Sequence, residues 1–283
     1  MKVFNKIITY IILLFSVNIA ASSQKLIFIN DINWPPFFFQ EKKDNKLGIG
    51  KEILNRCLTQ QDFQWQYKNL PIKRTHQNMA SGELDISVYS YQKERENFVV
   101  YGTEPIFFSQ YGFASNIKDN ITINKLDDVM QYQLGHLAGL EHTQELMKII
   151  EEKKALNQVT VGYSIDAMLK QLTATPQRFQ ILPNSIETLL WRAKQLNIEN
   201  NIHIHDFILK QKAYYVTVSK ASREITNPKM FLIKFDACIK ALKASGEFLK
   251  ISEKYGLALQ SSFSPSISIY PPNNPLKKVP FID

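Results

Sequence analysis

The chain alternates between strand-like and helix-like segments, and this alternation restricts its fold more than any other feature. Strand, helix, strand, helix and strand segments follow one another over residues 25–30, 49–58, 63–67, 74–81 and 84–88. The helical segments repeat apolar residues three or four positions apart, whereas the last strand alternates apolar and polar residues. Strands that alternate with helices predict an α/β fold with a largely parallel sheet.

A second block of the same kind begins near Leu126. Strands are expected at residues 132–137, 158–161 and 179–182, and helices at residues 143–154, 164–172 and 186–195. The chain then crosses an extended segment at residues 213–219 and continues in two amphipathic helices, at residues 228–245 and 247–255. We therefore expect two lobes, with residues 23–113 and 214–260 in lobe 1 and residues 114–213 in lobe 2.

Both ends of the chain depart from this pattern. Lys2 and Lys6 precede an apolar run at residues 7–17, which is typical of a cleaved signal peptide over residues 1–22. The run is shorter than a membrane span, which needs about 20 residues, and no nearby cysteine can accept a lipid. We expect a free periplasmic protein. Residues 261–283 are rich in proline and predict an extended surface tail.

The charge and the absence of familiar motifs narrow the function. The formal charge of +8 falls to +6 when the two leader lysines are removed, and the remaining basic residues are scattered among acidic ones. This balance mildly favours anionic partners and argues against nucleic acid. HExxH, CxxC, GxSxG and phosphate-binding glycine loops are missing from the sequence. We therefore expect no metal site and no cofactor.

Cys57 and Cys238 are the only cysteines of the chain. Two cysteines are too few for a disulfide scaffold, and they lack the spacing of metal ligands. In an oxidising compartment they form one bridge if the fold brings them together, or they stay as two separate buried thiols. Both alternatives remain open at the level of the sequence.

Three stretches of lobe 1 carry a resemblance to a known family. DINWPPF at residues 31–37 is followed by GELDI at residues 82–86, which leads into SYQKER at residues 90–95 and YGTEPIFF at residues 101–108. In this order they resemble family 3 of the periplasmic solute-binding proteins, which serves polar amino acid uptake.

The resemblance implies the two-lobe type II fold, with a hinge of two crossing segments near residues 113–115 and 213–216. It also implies a monomer without enzymatic activity that captures a small polar, carboxylate-bearing ligand by lobe closure. An ABC-transporter permease would then be its partner.

Arg95 is the first candidate for the ligand's carboxylate, because a guanidinium offers paired donors in the geometry that a carboxylate accepts. Ser90, five residues earlier, is expected to add its hydroxyl. In the alternative, Arg95 pairs with an acidic neighbour on the surface, namely Glu94, Glu96 or Glu104.

Four further residues complete the candidate site in lobe 1 and lobe 2. Trp34, held by two prolines, stacks on the ligand or packs in the core. Asp31 binds a ligand amine or caps the turn, and Arg74 faces the cleft from a helix start or is solvated. Gly139 belongs to a loop whose backbone amides, at a helix start, are expected to receive an anionic group.

Asn184 stands where the resemblance places an amine-binding carboxylate in lobe 2. An amide carries no full charge, which leaves carboxylates, peptides, opines and other polar solutes open as ligands. Two other functions remain as alternatives. One is a periplasmic enzyme of the same fold, similar to cyclohexadienyl dehydratase, with Glu141 as the residue to suspect. The other is a sensory or interaction module that uses the tail.

The five histidines are not expected to catalyse. His203 and His205 alternate along a possible strand but lack further partners. His76, His136 and His142 are expected on the surface or in loops.

Overall fold

The computed structural model describes residues 25–39 and 46–256. The predicted signal peptide and the proline-rich tail therefore lie outside the described residues. Within the described part of the chain, no helix is long and apolar enough to cross a membrane.

Strands and helices alternate through most of the described chain. Strands β1–β9 are Lys25–Asp31, Phe63–Asn69, Ile86–Ser90, Val99–Asn116, Leu134–Leu137, Val159–Gly162, Ile181–Ser185, Ile202–Ile204 and Lys210–Ser219. Helices α1–α7 are Ile49–Leu58, Ile72–Ser81, Gln144–Ala155, Ile165–Leu172, Ile186–Gln195, Pro228–Ala244 and Glu247–Lys254. Short 3₁₀ turns occur at Lys93–Asn97, Ile117–Asp119, Leu126–Gln131 and Glu199–Asn201. The predicted α/β class is confirmed.

Four helices begin where a polar side chain replaces a missing backbone acceptor. Thr143, Ser164, Ser185 and Asn227 each accept a hydrogen bond from the backbone N–H three residues later, at the starts of α3, α4, α5 and α6. Such caps satisfy amides that have no partner inside the helix. Helix α2 ends at Gly82, whose φ of 79° is in the left-handed region that favours glycine.

The nine strands form one sheet in the order β2-β1-β3-β9-β4-β7-β5-β6, and β8 pairs with β4. Strand β1 is parallel to β2 and β3, and β5 is parallel to β6 and β7. Strand β9 is antiparallel to β3 and β4, and β4 is also antiparallel to β7 and β8. The prediction of a largely parallel sheet is therefore wrong. The chain leaves lobe 1 on β4 and returns on β9, so these two strands must run in opposite directions.

Lobe 1 has a core in which α1, α6 and α7 cover the sheet, and the disulfide lies inside it. Its buried members include Ile27, Ile53 and Phe235. Cys57 of α1 is bonded to Cys238 of α6, with 5.7 Å between their Cα atoms. Of the two alternatives predicted for these cysteines, the structure therefore shows the disulfide bridge. A bridge between residues so far apart in sequence stabilises the fold mainly by restricting the unfolded chain.

Lobe 2 has separate apolar clusters around β5 and β7, one with Phe179 and Leu189 and another with Phe113 and Ile150. Strand β4 connects the lobes. Its pairing with β9 runs from Val99 to Tyr111, after which β4 pairs with β7 and β8 of lobe 2.

Helix α5 of lobe 2 also contacts lobe 1 beside these crossing strands. Thr188 donates to the Pro35 carbonyl at 3.0 Å, and the ring of Trp191 lies 5.5 Å from that of Phe39.

Candidate functional site

The two crossing strands present one common face between the lobes. Directly paired residues of antiparallel strands place their side chains on the same side of the sheet, and alternate residues of one strand share a side. We call this side of the strands the crossing face. The observed registers place on it the side chains of Ser90, Phe107, Ser109, Tyr111, Lys210, Lys212 and Tyr214.

Trp34 lies against this crossing face. The turn after β1 returns the chain, with the Trp34 N–H donating to the Phe38 carbonyl at 3.0 Å. The indole lies 4.8 Å from the ring of Phe37, 4.9 Å from Tyr214 and 5.7 Å from Phe107, and it stays half-buried. The structure thus shows core packing on one side of the ring, and its exposed side leaves the predicted ligand stacking open.

Arg95 lies at the edge of the same face, on the 3₁₀ turn after β3. Its Nη1 donates to the Ser90 carbonyl at 2.9 Å, and its guanidinium lies 4.6 Å from the centre of the Tyr89 ring. The carbonyl of Ser90, rather than the hydroxyl predicted to help bind the ligand, is what holds this arginine.

Arg95 has no acidic partner among the described residues. No carboxylate lies within salt-bridge distance of it. Glu104 pairs with Lys243, and Glu96 accepts from the Tyr91 hydroxyl at 3.1 Å. The alternative in which Arg95 is a surface ion pair is therefore not formed in the structure.

Asp31 is buried and already has a cationic partner. Its Oδ1 lies 2.7 Å from the Lys51 Nζ, which also donates to the Phe39 carbonyl at 2.5 Å and lies over the Tyr67 ring. Burial raises the pKa of Asp31, while the hydrogen bond and the charge of Lys51 act to lower it. The structure shows an internal ion pair here and no turn cap. The predicted contact with a ligand amine stays a prediction, now for a carboxylate whose charge is already paired.

Arg74 and Gly139 are exposed. Arg74 lies in the first turn of α2 and, within the described part of the chain, has no ion-pair partner. Gly139 has a φ of 79° in the turn after β5, but α3 begins only at Gln144. Gly139 thus lies in the loop between the strand and the helix, as predicted, a few residues before the helix start. Their roles in ligand binding remain predictions.

Asn184 lies within β7, whereas the sequence predicted that it would follow the strand. Its Oδ1 accepts from the Ser185 N–H at 2.7 Å, and its buried Nδ2 has no hydrogen-bond partner among the described residues. Asn184 pairs with Gly112, so its side chain is on the side of the sheet opposite to Tyr111 and Lys210.

Two lysines of the crossing face were missed by the sequence reading. Lys210 donates to the Glu141 carbonyl at 3.3 Å and lies over the Tyr111 ring at 4.8 Å. Burial, together with the charge of Lys212, lowers the pKa of Lys210 to about 8. Burial and the charge of Arg95 lower the pKa of Lys212. The signal in the sequence was the Lys-Gln-Lys alternation, which continues the period of the predicted strand towards its start.

His142 lies near these lysines, and His136 lies beside His142. The expectation of surface or loop positions is wrong for His136, which is buried in β5. Its ring lies 5.8 Å from that of His142. Burial, with smaller effects from Lys210, His136 and Lys212, lowers the pKa of His142 to about 3. Both ring nitrogens of His142 are buried and lack a hydrogen-bond partner among the described residues. At neutral pH His142 is therefore an uncharged donor and acceptor.

Other candidate groupings give no site. The rings of His203 and His205 lie 4.7 Å apart, and His205 is hydrogen-bonded to Ser115 at 3.0 Å. Among residues 25–39 and 46–256, no three His, Cys, Asp or Glu side chains are arranged to hold a metal ion.

Comparison with known proteins identifies the family. The model of the bacterial extracellular solute-binding proteins, family 3, matches residues 26–258. The chain belongs to this family. A comparison with curated protein sequences gives no match.

Solved structures similar to this family 3 chain include binding proteins and binding domains. The GluR0 ligand-binding core in complex with L-glutamate matches at a TM-score of 0.64 and 16% identity, covering 82% of this chain and 99% of that one. A mutant of the T. maritima protein ArgBP has a TM-score of 0.61 and 14% identity, covering 83% and 96%. Substrate-binding domain 2 of Lactococcus lactis GlnP, in an open conformation, has a TM-score of 0.60 and 21% identity, covering 82% and 96%. These matches show the two-lobe fold.

Proposed function

We propose that this family 3 chain is a periplasmic binding protein that captures a small, carboxylate-bearing ligand of amino acid type between its lobes. The observation that carries the proposal is Arg95, a half-buried guanidinium held by the Ser90 carbonyl, with no carboxylate partner among the described residues. A charge in this position is available to an anionic ligand, because the protein itself does not neutralise it.

Lobe closure follows from the two crossing strands. We propose lobe boundaries at residues 113/114 and 213/214, with β4 and β9 as the hinge. Each side of these strands has apolar clusters of its own, although Trp191 of α5 also joins the core of lobe 1, and this division supports a rigid-body movement. Closure would bring the loop around Gly139 towards Arg95 and the exposed side of Trp34.

We propose that the closed protein delivers its ligand to an ABC-transporter permease. The family and similar structures from transport systems support this proposal. One similar structure is the substrate-binding protein of an amino acid ABC transporter, at 18% identity. Another is a histidine kinase sensor domain, at 13% identity, so the alternative of a sensory role has a structural relative. A pull-down with the co-expressed permease separates the two, because a sensor would not be retained by it.

Periplasmic localisation is proposed from the predicted leader. Mass spectrometry of the protein from a periplasmic extract should show a start between Ala21 and Lys25. A retained Met1 in that fraction would contradict cleavage.

The proposed function excludes catalysis. Glu141, the residue suspected for an enzyme of this fold, is exposed, and its backbone carbonyl rather than its carboxylate contacts Lys210. Turnover of a cyclohexadienyl acid by the wild-type protein, lost in Glu141→Gln, would favour the enzyme instead.

A thermal-shift screen of amino acids, small carboxylates and short peptides tests the binding function. A ligand at 100 times its Kd stabilises the protein by about 2.7 kcal/mol. Arg95→Ala should abolish the shift of a carboxylate ligand. Lys93→Ala, an exposed cation on the same 3₁₀ turn, should leave that shift unchanged. Equal affinity of wild type and Arg95→Ala for such a ligand would refute the assignment of Arg95.

A further inference from the structure

Two lysines lie on the crossing face, and Arg95 lies at its edge, close enough for its charge to lower the pKa of Lys212. Arg95 is hydrogen-bonded to Ser90, whose strand partner is Tyr214. Lys212 and Lys210 follow Tyr214 on the same side of β9 at two-residue spacing, which is about 6.5 Å between Cα atoms in an extended strand. The positive charges therefore form a row with Arg95 at one end and Lys210 at the other.

The described acidic residues near this row do not neutralise it. Neither lysine has a carboxylate within salt-bridge distance among the described residues. Glu141 is exposed and contacts Lys210 through its backbone carbonyl. The charge of its carboxylate raises the pKa of both lysines, but burial and the neighbouring cations lower these pKa values by more.

Glu187 also lies near, but its oxygens are occupied by other donors. It accepts hydrogen bonds from Ser109, Ser185 and the Gln110 N–H, at 3.0, 2.7 and 2.9 Å. It therefore anchors the crossing strand and leaves the row of cations without an acidic partner.

A single carboxylate does not account for the row. One carboxylate on Arg95 uses the guanidinium and leaves two half-buried lysines, on the same side of β9, without an anionic partner among the described residues. Desolvated cations without partners are unfavourable, and a second anionic group at the other end would compensate them. The imidazole of His142, unpartnered beside the lysines, supplies a neutral donor for the same group.

We propose that the ligand is a small dicarboxylate, with one carboxylate on Arg95 and the second on Lys212 and Lys210. This inference rests on the proposed binding function and names its ligand class. An α-amino group is optional in this class, because Asn184, which stands where the resemblance places the amine-binding acid, carries no charge and has its side chain on the side of the sheet opposite to Lys210. Acidic amino acids and dicarboxylic acids without an amine are thus the two sources to separate.

Isothermal titration with matched pairs of probes tests the proposal. L-Glutamate is compared with L-glutamine, and glutarate with its monoamide, so that each pair differs in one carboxylate. We expect at least a tenfold preference for the dicarboxylate of one pair or both. If L-glutamate binds and glutarate does not, the amine contributes to recognition. If glutarate binds as well, the amine is dispensable.

Substitutions at the far end of the row provide the decisive comparison. Lys210→Met and Lys212→Met remove the charge but keep most of the apolar stem of each side chain. They should lower the preference for the dicarboxylate to within about threefold. Lys212→Arg keeps the charge and should retain the preference. Gln211→Ala, on the opposite side of the same strand, is the control and should retain the full preference. Circular dichroism melts verify that each variant is folded.

The pH dependence of binding is a second readout. The pKa of Lys210 is about 8 in the free protein, and a bound carboxylate would raise it. Affinity for the dicarboxylate is therefore complete below pH 8 and should fall as the pH rises above it, by up to tenfold per unit. Lys210→Arg should weaken this dependence, because the guanidinium stays charged.

Other titratable groups around the row do not produce the same dependence. Burial raises the pKa of Tyr111 and of Tyr214, so both stay protonated in this range. His142 is already neutral, and the carboxyls of Glu141 and Glu187 face no described cation within salt-bridge distance. Burial and the charge of Arg95 also lower the pKa of Lys212. The part of the pH dependence of binding that persists in Lys210→Arg is therefore the contribution of Lys212.

The outcomes separate the two levels of the inference. Tighter binding of the monoamides, or a dicarboxylate preference unchanged in both methionine variants, overturns the dicarboxylate proposal and leaves the binding function in place. If no member of the panel binds and the wider screen gives no ligand that depends on Arg95, the proposed function itself fails.

Discussion

Two groups of charged side chains differ in whether the protein provides a partner. Asp31 and Lys51 are buried in lobe 1, with side chains 10% and 6% exposed, and they pair at 2.7 Å. Arg95, on the 3₁₀ turn after β3, and Lys210 and Lys212, on β9, are half-buried and have no described carboxylate within salt-bridge distance. A charge removed from water needs compensation either inside the fold or from a ligand. We therefore propose that the first group serves the scaffold and that the second binds the ligand.

The largest expected effect comes from breaking the buried pair. Lys51→Met leaves the Asp31 carboxylate and the Phe39 carbonyl without their shared donor. We expect a loss of about 3–5 kcal/mol in the free energy of unfolding, measured by urea denaturation.

The double variant Asp31→Asn with Lys51→Met is the control, because it removes both charges. It should recover a large part of the lost stability and bind ligand as the wild type does. Loss of ligand binding in this folded double variant would restore Asp31 to the binding site.

Removal of the Cys57–Cys238 bridge should have the next largest effect. The bridge joins α1, which also carries Lys51, to α6. Replacement of both cysteines by alanine should lower the free energy of unfolding by about 2–5 kcal/mol. Ligand affinity of the folded fraction should be unchanged, because the bridge lies in the core of lobe 1. A matching loss of affinity at temperatures well below the melting point would contradict the separation of scaffold and site.

Neutralising a cation of the crossing face should change stability far less. Without ligand, Lys212 faces the like charges of Lys210 and Arg95, so Lys212→Met removes repulsion. We expect unfolding free energy to stay the same or to rise by less than about 1 kcal/mol, with the difference decreasing in high salt. Destabilisation above about 2 kcal/mol would place Lys212 in the scaffold and end the contrast between the two groups.

The smallest effect is expected for Arg74, an exposed cation that belongs to neither group. Arg74→Ala should change the free energy of unfolding by no more than about 0.5 kcal/mol. It should also leave the ligand-induced thermal shift unchanged, in agreement with the solvated alternative. A shift that disappears in this variant would show instead that α2 contributes to the cleft.

The sequence alone predicted the elements and part of the site. Helix α5 was predicted with its observed bounds, because the spacing of its apolar residues is a local property. The motif around Arg95 led to the family and to an arginine that the structure leaves without an acidic partner. The long strand β4 was not predicted, because residues 101–108 in its first part were interpreted only as a family motif.

Contacts between distant segments were decided only by the tertiary structure. The ion pair of Asp31 with Lys51 was not predicted, because nothing in the sequence next to Asp31 indicates Lys51, which lies on a helix that follows a long loop. Lys210 and Lys212 are more than a hundred residues from Arg95 in the chain, and only the register of β9 against β3 and β4 brings them to one face. Periodicity reports which side of an element is buried. Which elements meet, and in which register, depends on pairing energies summed over the whole sheet, and these determined the row of cations.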